Sequence, residues 1–284
     1  MDFQSQEIKD LIRRCLDEDL GSGDISSISS IEAGTQGFSK LLLKEDGVVA
    51  GLRLAEAILK EIDSTIQWHS LAEDGKFYHS GTVLAEVSGS VHALLAGERL
   101  LLNFMQRLSG IATQTRAVVT LLEGTGTTVL DTRKTTPGLR LLEKWAVTMG
   151  GGQNHRIGLY DMVMLKDNHN DSAGGITAAV NRTQAYLKSN GLELDIEVET
   201  RNMDEVKEVL SLSGIRRIML DNFSPEQCKE AVALIDGRLE TEASGGITSE
   251  SILSYAQSGV NFISLGSLTH SVKSLDISFK TKVL

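Results

Sequence analysis

Two cationic, glycine-punctuated stretches stand out: Asp131-Thr132-Arg133-Lys134-Thr135-Thr136-Pro137-Gly138 and Gly150-Gly151-Gly152-Gln153-Asn154-His155-Arg156. Lys166-Asp167-Asn168-His169 follows closely. From Thr132 to Gly158 there are five Lys/Arg (Arg133, Lys134, Arg140, Lys144, Arg156) against one acid, Glu143, a local charge of +4 in a chain of formal charge −10. A confined positive excess on Gly-rich backbone suits a small polyanion. A nucleic acid would need a broad basic face, so none is expected as a partner.

The residue types divide the chemistry further. Arg133, Arg156 and Arg99 suit carboxylates, which a guanidinium grips in bidentate fashion. Lys134 and Lys166 add point charges for a phosphate or a leaving group. Glu199 and Asp221 are hard oxygen donors that could hold Mg²⁺ together with phosphate oxygens. Ser244-Gly245-Gly246 and Gly266-Ser267 offer backbone N–H groups of the kind that bind phosphate late in a β/α barrel. The implied ligands are a polyphosphorylated sugar with Mg²⁺ and a small anionic partner. Lys166 alone would also suit a Schiff-base aldolase, but such an enzyme does not require so many carboxylate-binding arginines.

The elements that must position these groups follow a rhythm. Ile8, Leu11, Ile12, Cys15, Leu16 and Leu20 recur at helical spacing, ending at Gly21. From Phe38 to Val91 short apolar runs (Ser39–Leu43, Val48–Ala50, Val83–Val87, Val91–Leu94) predict a small sheet with one helix near Leu54–Ile62. Gly97–Leu108 reads as a helix, with a domain boundary near Ser109-Gly110. Strands are then expected at Thr127–Leu130, Met162–Leu165, Asp195–Val198, Ile215–Leu220, Leu239–Ala243 and Phe262–Leu265. Helices are expected at Gly175–Ser189, Met203–Ser211 and Pro225–Ile235, the last with Ser224 as N-cap and Gln227 completing a capping box. Repeated βα units imply a parallel sheet with right-handed crossovers. Six in a row favour a barrel, with an open doubly wound sheet left as the alternative. Each strand body reads as apolar, and each C-terminal end carries polar or ionisable residues, the catalytic end of a β/α barrel.

At 284 residues, 41% hydrophobic and 23% charged, the chain has the composition of an ordinary globular protein. No apolar run reaches the ~18–20 residues of a membrane span, and the first residues show no secretory signal. Cys15 and Cys228 form neither a CxxC nor a metal-ligand spacing, which suits a reducing, cytoplasmic setting.

The strings DTRKTTPGLR, GGGQNHRIGLYDMVMLKDNH, EVET, MLDNF, ASGGI and SLGSLTHS, in this order, resemble the quinolinate phosphoribosyltransferase family (nicotinate-nucleotide pyrophosphorylase, carboxylating). EDLGSGDIS and GERLLLNFMQRLSGIAT extend the resemblance over nearly the whole chain. It implies an α/β fold: an N-terminal α/β sandwich domain, residues 1–109 joined by 271–284, and an incomplete, six- to seven-stranded α/β barrel, residues 110–270. It implies transfer of phosphoribose from phosphoribosyl pyrophosphate to quinolinate, with loss of CO₂, in NAD biosynthesis. It also implies a homodimer or hexamer in which Arg99 reaches the neighbouring subunit's site. Carried over by position, Arg99, Arg133, His155 and Arg156 surround the quinolinate carboxylates. Lys134 and Lys166 lie between the two substrates, and Glu199 and Asp221 lie near the ribose and Mg²⁺. Ser244, Gly245, Gly246, Gly266 and His270 form the phosphate turns. Glu197 and Glu199 point to the same side of one strand, so alternation alone leaves the choice between them open. The stretch from Glu199 to Asp221 is one residue longer than the family pattern, around Ser211–Gly214. A molybdenum-transport relative of this fold departs at the Thr-Pro-Gly and Lys-Asp-Asn-His motifs, which are present here.

Overall fold

The structure, a computed structural model, describes Met1–Leu284, and its contacts gather into two compact units. The first holds Met1–Arg116, Leu142–Gly151 and Ser271–Leu284; the second holds Ala117–Leu141 and Gly152–His270. No helix is long and apolar enough to cross a membrane.

In the first unit, α1 (Gln6–Leu20) buries Ile8, Ile12 and Leu16 at four-residue spacing. The helix stops at Gly21, whose φ of 51° favours glycine. After α2 (Ile25–Ser30) come β1 (Gln36–Leu43), β2 (Gly47–Val48), α3 (Leu52–Ile62), β3 (Gln67–Ser70), β4 (Phe77–Tyr78) and β5 (Val83–Ser90). The half-buried Asp74 carboxylate accepts the Gly51 and Leu52 N–H groups at 2.7 and 3.0 Å, capping α3 from outside it. The next element, α4, is a 31-residue helix, Val91–Leu121.

That helix changes the reading of one segment. Val91–Leu94, expected as a strand, is the first turn of α4. Val91, Leu94, Leu101, Met105 and Leu108 are all buried along it, a spacing of three and four that four residues alone cannot reveal. Ser109-Gly110 lies inside the same unbroken helix. Gly110 is small for a packing reason: a Cβ there would run into the Lys273 carbonyl.

The second unit carries β6 (Thr128–Leu130), then α5 (Arg140–Gly150), whose residues from Leu142 onward belong to the first unit. It continues with β7 (Val163–Leu165), α6 (Asp167–Ala173), α7 (Ile176–Ser189), β8 (Ile196–Thr200), α8 (Met203–Leu210), β9 (Arg217–Asp221), α9 (Pro225–Ile235), β10 (Glu240–Ser244), α10 (Ile252–Gln257), β11 (Phe262–Ser264) and α11 (Ser267–His270). Six parallel strands form one sheet in the order β6-β11-β10-β9-β8-β7. A single parallel bridge from Leu130 to Gln153 extends it beyond β6. No ladder joins β6 to β7, so the barrel is incomplete. β12 (Ile277–Val283) returns to the first unit, whose sheet runs β12-β1-β5-β3, antiparallel throughout.

The expectation of apolar strand bodies holds for one face only. Val198 and Ile218 are fully buried, as expected, but so are Glu197 and Glu242. Arg217 reaches Glu242 at 3.0 Å and stacks on the Phe262 ring at 3.9 Å. Barrel interiors of this type are ordinarily filled by Val, Ile and Leu. Here one interior face is ionic.

Candidate active site

A cavity of about 820 Å³ opens at the C-terminal ends of the parallel strands, in the second unit. Arg133, Lys134, His155, Arg156, Lys166, Glu199, Asp221, Ser244, Gly245, Gly246, Gly266 and His270 all line it. Arg99 does not; it is exposed on α4 in the first unit.

The cationic wall comes from the segments after β6 and around the Gln153 bridge. Asp131, fully buried at the end of β6, accepts the His155 N–H at 2.8 Å and ties the two segments together. The Lys134 carbonyl accepts the Thr269 hydroxyl at 2.8 Å, which anchors the first segment to α11. Arg133 Nε is buried without a hydrogen-bond partner in the chain. Burial, and then the like charge of Arg133, hold the Arg156 guanidinium below its ordinary pKa. Two guanidiniums kept together against their repulsion form a site that an anion completes.

The acidic wall stands across β7, β8 and β9. Lys166 Nζ lies 2.8 Å from Glu199 Oε2, with Glu199 only 6% exposed. His169 Nδ1 accepts the Lys166 N–H at 3.0 Å, so this histidine fixes the backbone that aims the lysine. Burial, and then the charge of Glu199, push the Asp221 carboxyl up from its ordinary value. Two oxygen donors at neighbouring strand ends, one raised by the other, suit a hard divalent cation. Glu199 lines the cavity, whereas Glu197, two residues earlier on the same face, is fully buried and absent from the lining.

The phosphate turns are built on glycine for space and conformation. Gly245 has φ of 98°, and a Cβ there would strike Asn222. Asn222 itself has φ of 58° and donates to Asp221 Oδ2 at 2.7 Å. At Gly266 a Cβ would fall 2.8 Å from Lys134 Cδ and 3.0 Å from His270 Cδ2.

Beneath this cavity His155 and Glu197 meet a residue that the sequence reading did not single out, Glu242. His155 Nε2 is 3.0 Å from Glu197 Oε2 and 3.3 Å from Glu242 Oε2, all three residues being buried. Glu242 lines the cavity. Its signal in the sequence is the alternation Glu240-Thr241-Glu242-Ala243-Ser244, charged on the face that was read as apolar. Burial pulls the His155 pKa down, but the two carboxylates carry it up to about 9. Burial, then the charge of Glu242, push Glu197 up to about 7. The Arg156 backbone N lies 2.7 Å from His155 Nδ1.

Comparison with known proteins agrees with this geometry. Residues 24–109 match the N-terminal domain model of quinolinate phosphoribosyl transferase, and residues 111–280 match its C-terminal domain model. A chloroplastic nicotinate-nucleotide pyrophosphorylase (carboxylating) of Arabidopsis thaliana is 47% identical over 289 residues, covering 96% of this chain and 82% of the relative. A quinolinate phosphoribosyltransferase (decarboxylating) of Nicotiana tabacum is 46% identical with the same coverage. The crystal structure of NadC from Streptococcus pyogenes superposes with a TM-score of 0.95 at 40% identity, covering 100% of this chain and 99% of that one.

Proposed function

The chain belongs to the quinolinate phosphoribosyltransferase family, and from that membership we propose that its cavity joins phosphoribosyl pyrophosphate to quinolinate with loss of CO₂. The observation that carries this reading is the meeting of Arg133 and Arg156 with Lys134, Lys166, Glu199 and Asp221 around one cavity. A dicarboxylate needs the first pair, and a phosphorylated sugar needs the rest. The glycine turns at Gly245, Gly246 and Gly266 present backbone N–H groups to the phosphate.

Each step has a residue suited to it. Arg133 and Arg156 hold the dicarboxylate so that its ring nitrogen faces ribose C1. As pyrophosphate leaves, C1 takes on oxocarbenium character, which the Glu199 and Asp221 carboxylates stabilise electrostatically. Lys134 and Lys166 offset charge on the leaving group. The ring nitrogen captures C1 and becomes a pyridinium. That positive nitrogen stabilises the electron pair left on ring C2 as the 2-carboxylate departs as CO₂, so no general base is needed for this step, and a proton from solvent then takes the carboxylate's place on C2.

Mg²⁺ belongs to this reading, held by Asp221 and Glu199 with substrate oxygens; when bound it neutralises pyrophosphate charge. A homodimer or larger assembly also belongs to it, with Arg99, exposed on α4, reaching the site of the neighbouring subunit. So does a cytoplasmic setting, supported by two free cysteines.

The test is product formation from phosphoribosyl pyrophosphate and Mg²⁺ with quinolinate, and in parallel with nicotinate. Nicotinate mononucleotide and CO₂ in equal amounts, from quinolinate only, are expected. Folded protein giving no product from quinolinate would overturn the reading.

A further inference from the structure

We infer that Arg201 and Asp171, with Asn170 beside them, are positioning residues. They lock the segment after β7 to the segment after β8, and so hold Lys166 against Glu199 at the open edge of the barrel. The need for them arises from the sheet order. β8 is an interior strand, bonded to β7 on one side and β9 on the other, and all five of its residues are buried. β7 is the last strand of the sheet, three residues long, and pairs with β8 alone. Lys166 follows it directly, so the strand beneath this lysine is fastened on one side only. That is a weak base from which to aim a long, flexible side chain.

The missing support comes from above the strands. Arg201 Nη1 and Nη2 donate to the two oxygens of Asp171, both at 3.0 Å, a bidentate geometry that fixes direction as well as distance. Arg201 is itself held, because its Nε and its backbone N–H reach the two oxygens of Glu205 on α8 at 2.9 and 2.7 Å. On the other side, Asp171 belongs to α6, which is wound directly onto Lys166. The Lys166 carbonyl accepts the His169 and Asn170 N–H groups, each at 2.9 Å. The buried Asn170 turns its Nδ2 to the Glu199 carbonyl at 3.4 Å. Contacts between the same two segments thus run in a row, from Lys166 to Glu199, from Asn170 to Glu199 and from Asp171 to Arg201.

Exposure points to a role in the site rather than in the fold. The Arg201 and Asp171 side chains are 45% and 59% exposed, and ion pairs this open contribute little to global stability. Their fixed geometry can still select one arrangement of α6 over others.

The kinetic part of this inference rests on reading Lys166 as acting on the leaving pyrophosphate; the clamp itself does not. Hydrogen exchange followed by mass spectrometry tests the clamp in Asp171→Ala, Arg201→Ala and the double variant. Lys207→Ala, which breaks the exposed pair with Asp204, is the control. Faster exchange is expected in the peptide spanning Lys166–Ala173 in the three clamp variants, with α9 unchanged and the urea midpoint close to wild type. Unchanged exchange in that peptide would overturn the clamp whatever the enzyme turns over. Kinetics then test the positioning. Each single clamp variant should lower kcat about 10-fold and leave KM for quinolinate within about 2-fold, since a displaced catalytic group loses rate more than binding. The double variant should be no worse than Arg201→Ala, because both halves of one contact are lost together. Wild-type kcat despite faster exchange, losses that multiply in the double variant, or an equal loss in Lys207→Ala would sink the positioning role. If the wild-type enzyme makes no product, the exchange result still decides the clamp. If Arg201→Ala fails to fold, Asp171→Ala, at an exposed position of α6, decides both parts.

Discussion

Arg133 and Arg156 pair two like charges across a cavity wall, and Lys166 and Glu199 pair two opposite charges across the other. The difference predicts different kinetic signatures. In the proposed reaction Arg133 acts on a bound anion before and during turnover, and its buried Nε has no competing partner in the chain. Arg133→Ala should therefore raise KM for quinolinate by about 100-fold, the loss expected when one side of a buried charge-assisted contact is removed. In the same proposal Lys166 sits where charge moves, 2.8 Å from Glu199, the acid proposed to face the ribose. Lys166→Ala should lower kcat by about 100- to 1,000-fold, the usual effect of deleting one group aimed at developing charge. Steady-state kinetics with each substrate varied in turn separates the two. A Lys166→Ala enzyme near wild-type turnover would remove this lysine from the mechanism.

At the scale of elements, the sequence was most legible where local chemistry determines the outcome. The helix α9 begins and ends where Ser224, Pro225, Gln227 and Ile235 place it, because the Ser224 hydroxyl accepts the Gln227 N–H and the Gln227 side chain accepts the Ser224 N–H. Ser224→Ala should cost about 1 kcal/mol of stability, as lost N-caps do, with kcat unchanged because Ser224 does not line the cavity. Urea unfolding beside an activity assay checks both parts. The start of α4 was illegible for the opposite reason. Ser90 before Val91-His92-Ala93-Leu94 has no capping-box Glu or Gln at Ala93 to reinforce it, and the helical period emerges only over the residues that follow. Gly150-Gly151-Gly152 shows a second limit. Gly150 is the last residue of α5, and a Cβ there would meet Thr115 and the Ala112 carbonyl, so packing on α4 requires this glycine. The polar strand ends could be read because their phase is set by the barrel. The buried Glu197, Arg217 and Glu242 could not, because alternation inside a strand tells which residues share a face without telling what lies opposite them.

At the scale of the whole molecule, Arg99 is the singled-out residue that this chain's own cavity leaves outside. It is exposed on α4, in the unit that does not carry the cavity. A two-fold assembly in which each chain lends Arg99 to its neighbour makes every site a product of two chains. That arrangement has a consequence no single-chain site shares. Arg99→Ala and Lys166→Ala homodimers each have two damaged sites. A hybrid carries both lesions in one site and none in the other. Random exchange makes half of the dimers hybrids, so mixing two nearly inactive variants should restore roughly a quarter of wild-type activity under two-fold sharing. Activity after mixing, with hybrid formation followed by native mass spectrometry, decides it. Hybrids that form without recovering activity would show that Arg99 serves its own chain's site or none.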